Sequence, residues 1–191
     1  VSSLRSTSEQ LTFTLSPDLD DTHRWFGSLS YTIANSRALT SGFDNTTFGS
    51  PLSRSWARSG FDIRHRVVVQ SGITRAGLTL TMFGRLQSGV PYTPIIGSDV
   101  NGDGLVNDRA FIFDPKVSTD PAVASAMRTL RQSSQRDVRQ CLMRQRGRPA
   151  AVNSCEGPWS ASMNAQVNYA FKLPRTGQHA SITLAAMNPL G

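Results

Sequence analysis

The run Asp99 to Asp108 holds the densest set of potential ligands in the chain and reads Asp-Val-Asn-Gly-Asp-Gly-Leu-Val-Asn-Asp. Oxygen-bearing side chains fall at its positions 1, 3 and 5 (Asp99, Asn101, Asp103), glycine at 6 (Gly104) and Asn107 at 9. A hard divalent cation takes about six to eight oxygen ligands, and this is the spacing of a calcium loop of EF-hand or dockerin type. Gly104 permits the sharp bend, and Leu105 offers its carbonyl. The acid expected at position 12 is replaced by Ala110, so Asp108 stands in as the closing ligand. The same residue types also build a metal-free Asn/Asp/Gly turn. The pattern at 1, 3, 5 and 6 is more demanding than a turn requires, and the expectation is Ca2+ held by Asp99, Asn101, Asp103, Leu105, Asn107 and Asp108.

Cys141 and Cys155 enclose a polar loop with Gly147 and Pro149. A bridge between them would stabilise by about 3 kcal/mol in the chain-entropy account and fits an oxidising compartment. Two unpaired thiols are the other reading. No further Cys or His lies at zinc-ligand spacing. His23, His65 and His179 lack the partners that catalysis or metal binding would need and read as structural. There is no Gly-x-Ser-x-Gly elbow. Asp44 and Asp62 read as a loop tip and the start of a strand rather than as an acid–base pair. The chain is not expected to be an enzyme.

The elements that would position these residues are strands. Trp25, Gly27, Leu29, Tyr31 and Ile33 alternate with Ser28, Ser30 and Thr32 within 24–37. Within 62–70, Ile63, His65, Val67 and Val69 oppose Arg64, Arg66, Val68 and Gln70. Within 78–87, Leu78, Leu80, Met82 and Leu86 oppose Thr79, Thr81, Phe83, Arg85 and Gln87. The cleanest run sets Trp159, Ala161, Met163, Ala165, Val167, Tyr169 and Phe171 against Ser160, Ser162, Asn164, Gln166 and Asn168. Shorter strands are expected at 10–15 and 180–187. A thirteen-residue strand is long for a soluble sheet but suits a tilted membrane crossing of about ten residues. Its aromatics sit at its ends, as in the two interfacial girdles of an outer-membrane barrel.

Short turns (16–21, 74–77, 173–177) alternate with long connections (about 37–60 and 88–157), as periplasmic turns alternate with extracellular loops. A loop of about seventy residues is anomalous in a compact soluble domain. Inside it, Asp120-Pro121 reads as an N-cap and first helical residue. A helix is expected over 122–131 with Val123, Met127 and Leu130 on one side. A second is expected over 135–145 with Val138, Cys141 and Leu142 sharing a face, stopped by Gly147-Arg148-Pro149.

Charged residues make up 17 % and hydrophobic ones 38 % of the 191 residues. The low charge suits a wall whose inward residues are polar but uncharged. No apolar run is long enough for a transmembrane helix, which says nothing against a barrel. The net charge is +7. Arg128, Arg131, Arg136, Arg139, Arg144, Arg146 and Arg148 stand against Asp137 alone. No aromatic or nucleic-acid motif accompanies them, so nucleic acid is not the expected partner. Lipopolysaccharide or an acidic solute at a cell surface fits better. The start at Val1 and the end at Asn188-Pro189-Leu190-Gly191 read as those of a piece of a longer protein.

Phe61-Asp62-Ile63-Arg64-His65-Arg66, then Gly84-Arg85-Leu86-Gln87-Ser88-Gly89-Val90-Pro91-Tyr92-Thr93-Pro94, then the Asp99–Arg109 loop, resemble in content and order a run in TonB-dependent transporters of the Oar-like branch. Cys141 and the stretch Asn153-Ser154-Cys155-Glu156-Gly157-Pro158-Trp159 resemble the cysteine pair that follows there. Ala185-Ala186-Met187-Asn188-Pro189-Leu190 is similar to the end of a late barrel strand. The resemblance covers about residue 22 to the end and implies a large barrel filled by a plug and energised by TonB.

The expected architecture is therefore all-β: an antiparallel transmembrane β-barrel segment of about six strands. Residues 1–191 would be one outer-membrane domain, with 88–157 a long extracellular loop carrying the calcium-type motif, helices and disulfide. The expected function is transport of a solute, with Arg64, Arg66, Arg85, Gln87, Asn164, Gln166 and Asn168 lining the lumen. A non-transporting surface, adhesion or assembly protein would use the same barrel as an anchor. Expected partners are outer-membrane lipid and lipopolysaccharide, the remainder of the barrel and its plug, and TonB.

Overall fold

A β-strand has two faces and two hydrogen-bonding edges, so period-two patterning becomes a surface only when neighbouring strands fix its register. The computed structural model describes residues 4–17, 24–43 and 45–189, leaving aside the side chain of Ser133. The turn residues 18–21, His23, Asp44 and Leu190 lie outside the described residues. In chain order the elements are β1 (Ser6–Leu15), β2 (Trp25–Thr40), β3 (Ser55–Arg58), β4 (His65–Arg75), β5 (Leu78–Gln87), β6 (Pro91–Tyr92), β7 (Phe111–Ile112), α1 (Pro121–Ser133), α2 (Arg136–Arg144), β8 (Arg148–Pro149), β9 (Cys155–Glu156), β10 (Ser160–Lys172) and β11 (His179–Met187).

The main sheet has seven strands in the order β1-β2-β4-β5-β10-β11, with β3 added to β2. It is an antiparallel meander. The hydroxyl pairs Thr12–Thr32 and Thr14–Ser30, at 2.9 and 3.0 Å, show β1 running antiparallel to β2. The all-β expectation holds, and the six long strands match its strand count. Among the described residues the sheet is open, ending at β1 and β11, each paired on one side only.

Local chemistry explains the hairpins. Between β4 and β5 lie only Ala76 (φ 49°) and Gly77 (φ 81°). Two successive left-handed residues are the turn whose twist matches the flanking strands. A Cβ at Gly77 would sit 2.6 Å from the Ala170 carbonyl oxygen, so glycine is required twice over. Between β10 and β11 the chain closes through Gly177 N–H to the Leu173 carbonyl at 3.0 Å. Phe26 stands directly opposite Gly72, and its ring occupies the space a side chain at 72 would need. An aromatic laid over a strand glycine shields backbone the glycine cannot cover.

The chain divides into two compact units, one of Val1–Glu9, Ala34–Ile63 and Ser88–Pro158, the other of Gln10–Ile33, Arg64–Gln87 and Trp159–Gly191. The second is sheet alone. The first has its own small core, in which Ile112, Leu142 and Ala150 are buried with Ala110, Met127 and Val138 packed against them. Short pairings β6–β9 and β7–β8 stitch this unit, and Cys141 is bonded to Cys155 with 5.5 Å between Cα atoms. Asp120 caps α1 through Ala122 N–H at 2.8 Å, with Pro121 at the first turn.

Several boundaries and faces differ from expectation. β4 begins at His65, so Ile63 and Arg64 precede it, and Trp159 flanks β10. The 37–60 connection is shortened because β2 runs on to Thr40 and pairs with β3. On α1 the inward residues are Ala124 and Met127, while Leu130 is 44 % exposed. The core is too shallow to receive a broad helix face, and a small residue at 124 permits close approach.

Candidate functional site

The cross-strand register sorts the sheet unit into two chemically different faces. Arg66 stands opposite Gln87, and Gln87 opposite Ser160. Arg85 stands opposite Ser162, Asn164 opposite Phe83, Gln166 opposite Thr81, and Asn168 opposite both Thr79 and Thr183. Six of the seven expected lumen residues thus share one face. Arg64 is the exception, lying before β4 and half-buried. The polar face is laced by hydrogen bonds: Asn168 donates to Thr183 at 2.7 Å, and Thr74 and Thr79 hydroxyls meet at 3.1 Å. Besides the guanidiniums of Arg66 and Arg85 it carries uncharged hydroxyl and amide groups that both donate and accept.

The opposite face carries Trp25, Leu29, Tyr31, Ile33, Val67, Val69, Ile73, Leu80, Met82, Leu86, Met163, Val167, Tyr169, Ile182 and Leu184, in register across β2, β4, β5, β10 and β11. Nothing among the described residues covers it. Val167 and Leu80, directly opposite each other, are 36 % and 37 % exposed, and Leu184 reaches 74 %. At one end of this face Tyr31, His65 and Trp159 stack with centroid spacings of 6.2 and 6.1 Å, and the Tyr31 hydroxyl meets His65 Nδ1 at 2.9 Å. At the other end Tyr169 and Phe171 stack at 5.7 Å. From Trp159 to Tyr169 the strand rises about 33 Å. His65 is thereby held by a hydrogen bond to Tyr31 and two ring stacks.

In the other unit, the 99–108 run forms a tight turn. Asp99 accepts the amides of Gly102 and Gly104 at 2.7 and 2.9 Å, Asn101 Oδ1 that of Asp103 at 2.9 Å, and Asp103 Oδ1 that of Leu105 at 2.9 Å. Gly102 and Gly104 take the left-handed conformation, with φ of 76° and 85°. Asp108, 3 % exposed, turns back to accept the amides of Val100 and Asn101 at 2.6 and 3.2 Å. The side chains of Asp99, Asn101, Asp103 and Asp108 are thus all engaged with amides of the run itself. Among the described residues no three His, Cys, Asp or Glu side chains gather as a metal site, so Asn and carbonyl oxygens would have to complete any sphere. Each oxygen that accepts one amide keeps a second lone pair. Asn107 Oδ1 is buried with no donor among the described residues.

The same run clasps the first long loop. Asn107 Nδ2 donates to the Gly42 and Asn45 carbonyls at 2.7 and 2.9 Å, and Asn101 Nδ2 to that of Gly49 at 2.9 Å. Thr47 and Asp108 form a parallel bridge. Arg109 donates to the Ala150 carbonyl at 3.0 Å, and burial pushes its guanidinium below the usual value. Burial, with the charge of Asp137 second, pushes the Tyr92 phenol up.

Two hubs escape sequence reasoning. Asp62 is wholly buried rather than merely leading into a strand. Its carboxylate takes Arg58 Nε at 2.5 Å and the Ser36 amide at 2.8 Å, and Arg58 reaches on to Glu156 at 3.4 Å. Asn153, at φ 50°, donates to the Arg58 carbonyl at 2.7 Å. Gln145, 4 % exposed, places Nε2 at 3.2 Å from Cys141 Sγ while its oxygen takes the Ala151 amide at 2.8 Å. The four-residue spacing of Arg58 and Asp62 was the available signal for the first hub. Nothing local marks Gln145.

Asp62→Ala leaves the Arg58 guanidinium, only 18 % exposed, with Glu156 at 3.4 Å as its remaining counter-charge. It is expected to destabilise the loop unit by about 3 kcal/mol. Asp62→Asn, which keeps an acceptor for Ser36, is expected to cost less. Urea midpoints for protease cleavage within 34–63 and 88–158 measure this, and unchanged midpoints in Asp62→Ala would show the pair to be dispensable. Comparison with family models, with curated proteins and with solved structures finds no match to this chain.

Proposed function

We propose that this chain is a length of transmembrane β-barrel wall from a bacterial outer membrane, belonging to a transporter of the TonB-dependent type. One observation carries the reading. Strands of 10 to 16 residues in β2, β4, β5 and β10 present a continuous, uncovered apolar face bounded by aromatics. Soluble monomers rarely expose a contiguous apolar patch larger than a few hundred Å². Hydrocarbon is the solvent that makes this face favourable, at about 1.5–3 kcal/mol for each large side chain removed from water. The polar face then turns to a lumen, where Arg66, Arg85, Gln87, Asn164, Gln166 and Asn168 meet solute or plug. The open edges at β1 and β11 call for further strands, from more chain or another polypeptide, because a sheet in lipid must close. The transport assignment and the TonB partner rest on the family resemblance.

Calcium belongs to the same reading. Asp99, Asn101, Asp103, Asn107, Asp108 and the Leu105 carbonyl would hold it, and the ion would offset the acidic turn that grips Gly42, Asn45, Thr47 and Gly49. Chelation is expected to speed proteolysis within 97–110 several-fold and to loosen 42–49 with it. Equal cleavage with and without calcium would remove the metal from the account.

Facing the two surfaces with arginine separates lipid from water. Val167→Arg is expected to cost about 2–4 kcal/mol of folding stability in bilayers. Gln166→Arg, one residue along, is expected to change it by less than about 1 kcal/mol. Urea titration in lipid vesicles measures both, and equal costs would contradict a lipid-facing surface. Transport itself is tested by solute uptake in cells carrying the whole protein. Uptake should vanish when TonB coupling is removed, and persistence of uptake would oppose the energised mechanism.

A further inference from the structure

The polar face of the sheet unit sets two arginines side by side with no acid to meet them. Arg66 on β4 stands opposite Gln87 on β5, and Arg85 on β5 stands opposite Val68 on β4. The two arginines are therefore diagonal neighbours on one face, about 7–8 Å apart along the backbone. Both are exposed. Among the described residues neither side chain takes part in an ion pair or a hydrogen bond. The described stretches of this unit, 10–17, 24–33, 64–87 and 159–189, contain no Asp or Glu. The sheet itself thus supplies no counter-charge. Like charges on neighbouring strands repel. An oxyanion relieves that repulsion and accepts paired N–H groups from each planar guanidinium.

The register also supplies the frame around the pair. Thr32 stands opposite Arg66 on the β2 side, while on the β10 side Ser160 stands opposite Gln87 and Ser162 opposite Arg85. Hydroxyl and amide groups can donate to the same oxyanion. The pair lies at the end of the sheet where β4 begins, β5 ends and β10 begins. The 88–158 connection leaves from that end, which on the barrel reading is the outer mouth of the lumen. We propose that Arg66 and Arg85, framed by Thr32, Gln87, Ser160 and Ser162, form a subsite for anionic oxygen groups, carboxylate or phosphate, on a small solute entering there. A solute with two such groups engages both guanidiniums at once, and the wall selects by sign of charge as arginine-lined anion pores do. The proposal rests on the barrel reading, which makes this face the wall of a lumen, and gives that reading a substrate class.

The test is equilibrium dialysis of radiolabelled citrate and, separately, of pyrophosphate against the whole protein in zwitterionic detergent micelles at low salt. At least one of the two should bind saturably to a single class of site, and the tighter of them identifies the anionic group. The uncharged trimethyl ester of citrate should not compete. Arg66→Gln/Arg85→Gln should weaken binding about tenfold, which is about 1.4 kcal/mol. Arg128→Gln/Arg136→Gln removes the same charge from exposed positions on α1 and α2 and should leave binding unchanged. No saturable binding of either anion, or equal weakening by the two double variants, would overturn the proposal. Failure of the unaltered protein to bind, with a plug released to protease in Arg66→Gln/Arg85→Gln, would overturn it in favour of a carboxylate of the protein itself. Solubility without detergent, read on the same preparation, would reject the barrel reading separately, whatever the anion measurements.

Discussion

On the barrel reading the governing constraint is that a strand with hydrocarbon on one side can leave no amide unpaired and few polar side chains on that side. Pairing along the meander meets the first demand for every interior strand, and the register meets the second save at Ser71 and at His65, whose ring nitrogen meets the Tyr31 hydroxyl. Because each residue of β10 faces a fixed partner on β5 and on β11, a slip of one position would move Asn164, Gln166 and Asn168 onto the apolar side together. The tight turn at Ala76-Gly77 and the glycine at 72 under the Phe26 ring therefore do more than connect strands. They hold the alternation in phase across the sheet.

The loop unit answers a different problem. It buries few apolar residues, so its stability is distributed over a small core, one disulfide and buried polar hubs. Each hub satisfies backbone as well as side-chain groups: Asp62 takes the Ser36 amide, Gln145 the Ala151 amide, Asn107 the Gly42 and Asn45 carbonyls. Buried polar residues of this kind are costly to break singly. Their arrangement makes the long connections of the chain ordered structures that can carry binding surfaces.

Strand identity was legible because period two needs no knowledge of neighbours: the run at 78–87 became β5 residue for residue, and the polar set of β10 fell on one face as its alternation implied. The two loop helices were legible from Asp120-Pro121 and from the apolar spacing of Val138 and Leu142. What failed depended on distant segments. Asp62 looked like the start of a strand because its partner Ser36 lies in another strand. Leu130 looked inward because periodicity reports a face and not whether a neighbour covers it. Gln145 over the disulfide had no local signature at all. In the 99–108 run the spacing foretold the turn and its internal bonds but gave no sign of the clasp on 42–49, which again joins segments far apart in sequence.

The account stands on residues 80 and 82 facing lipid while 81 and 83 face water. Single nitroxide labels at Leu80, Thr81, Met82 and Phe83, in the whole protein reconstituted into bilayers, report this through collision with oxygen, which concentrates in hydrocarbon, and with a water-soluble nickel chelate. The account predicts accessibility that alternates residue by residue, with oxygen dominant at 80 and 82 and nickel dominant at 81 and 83. Nickel accessibility at all four positions, or protection of 80 and 82 from both probes, would contradict it.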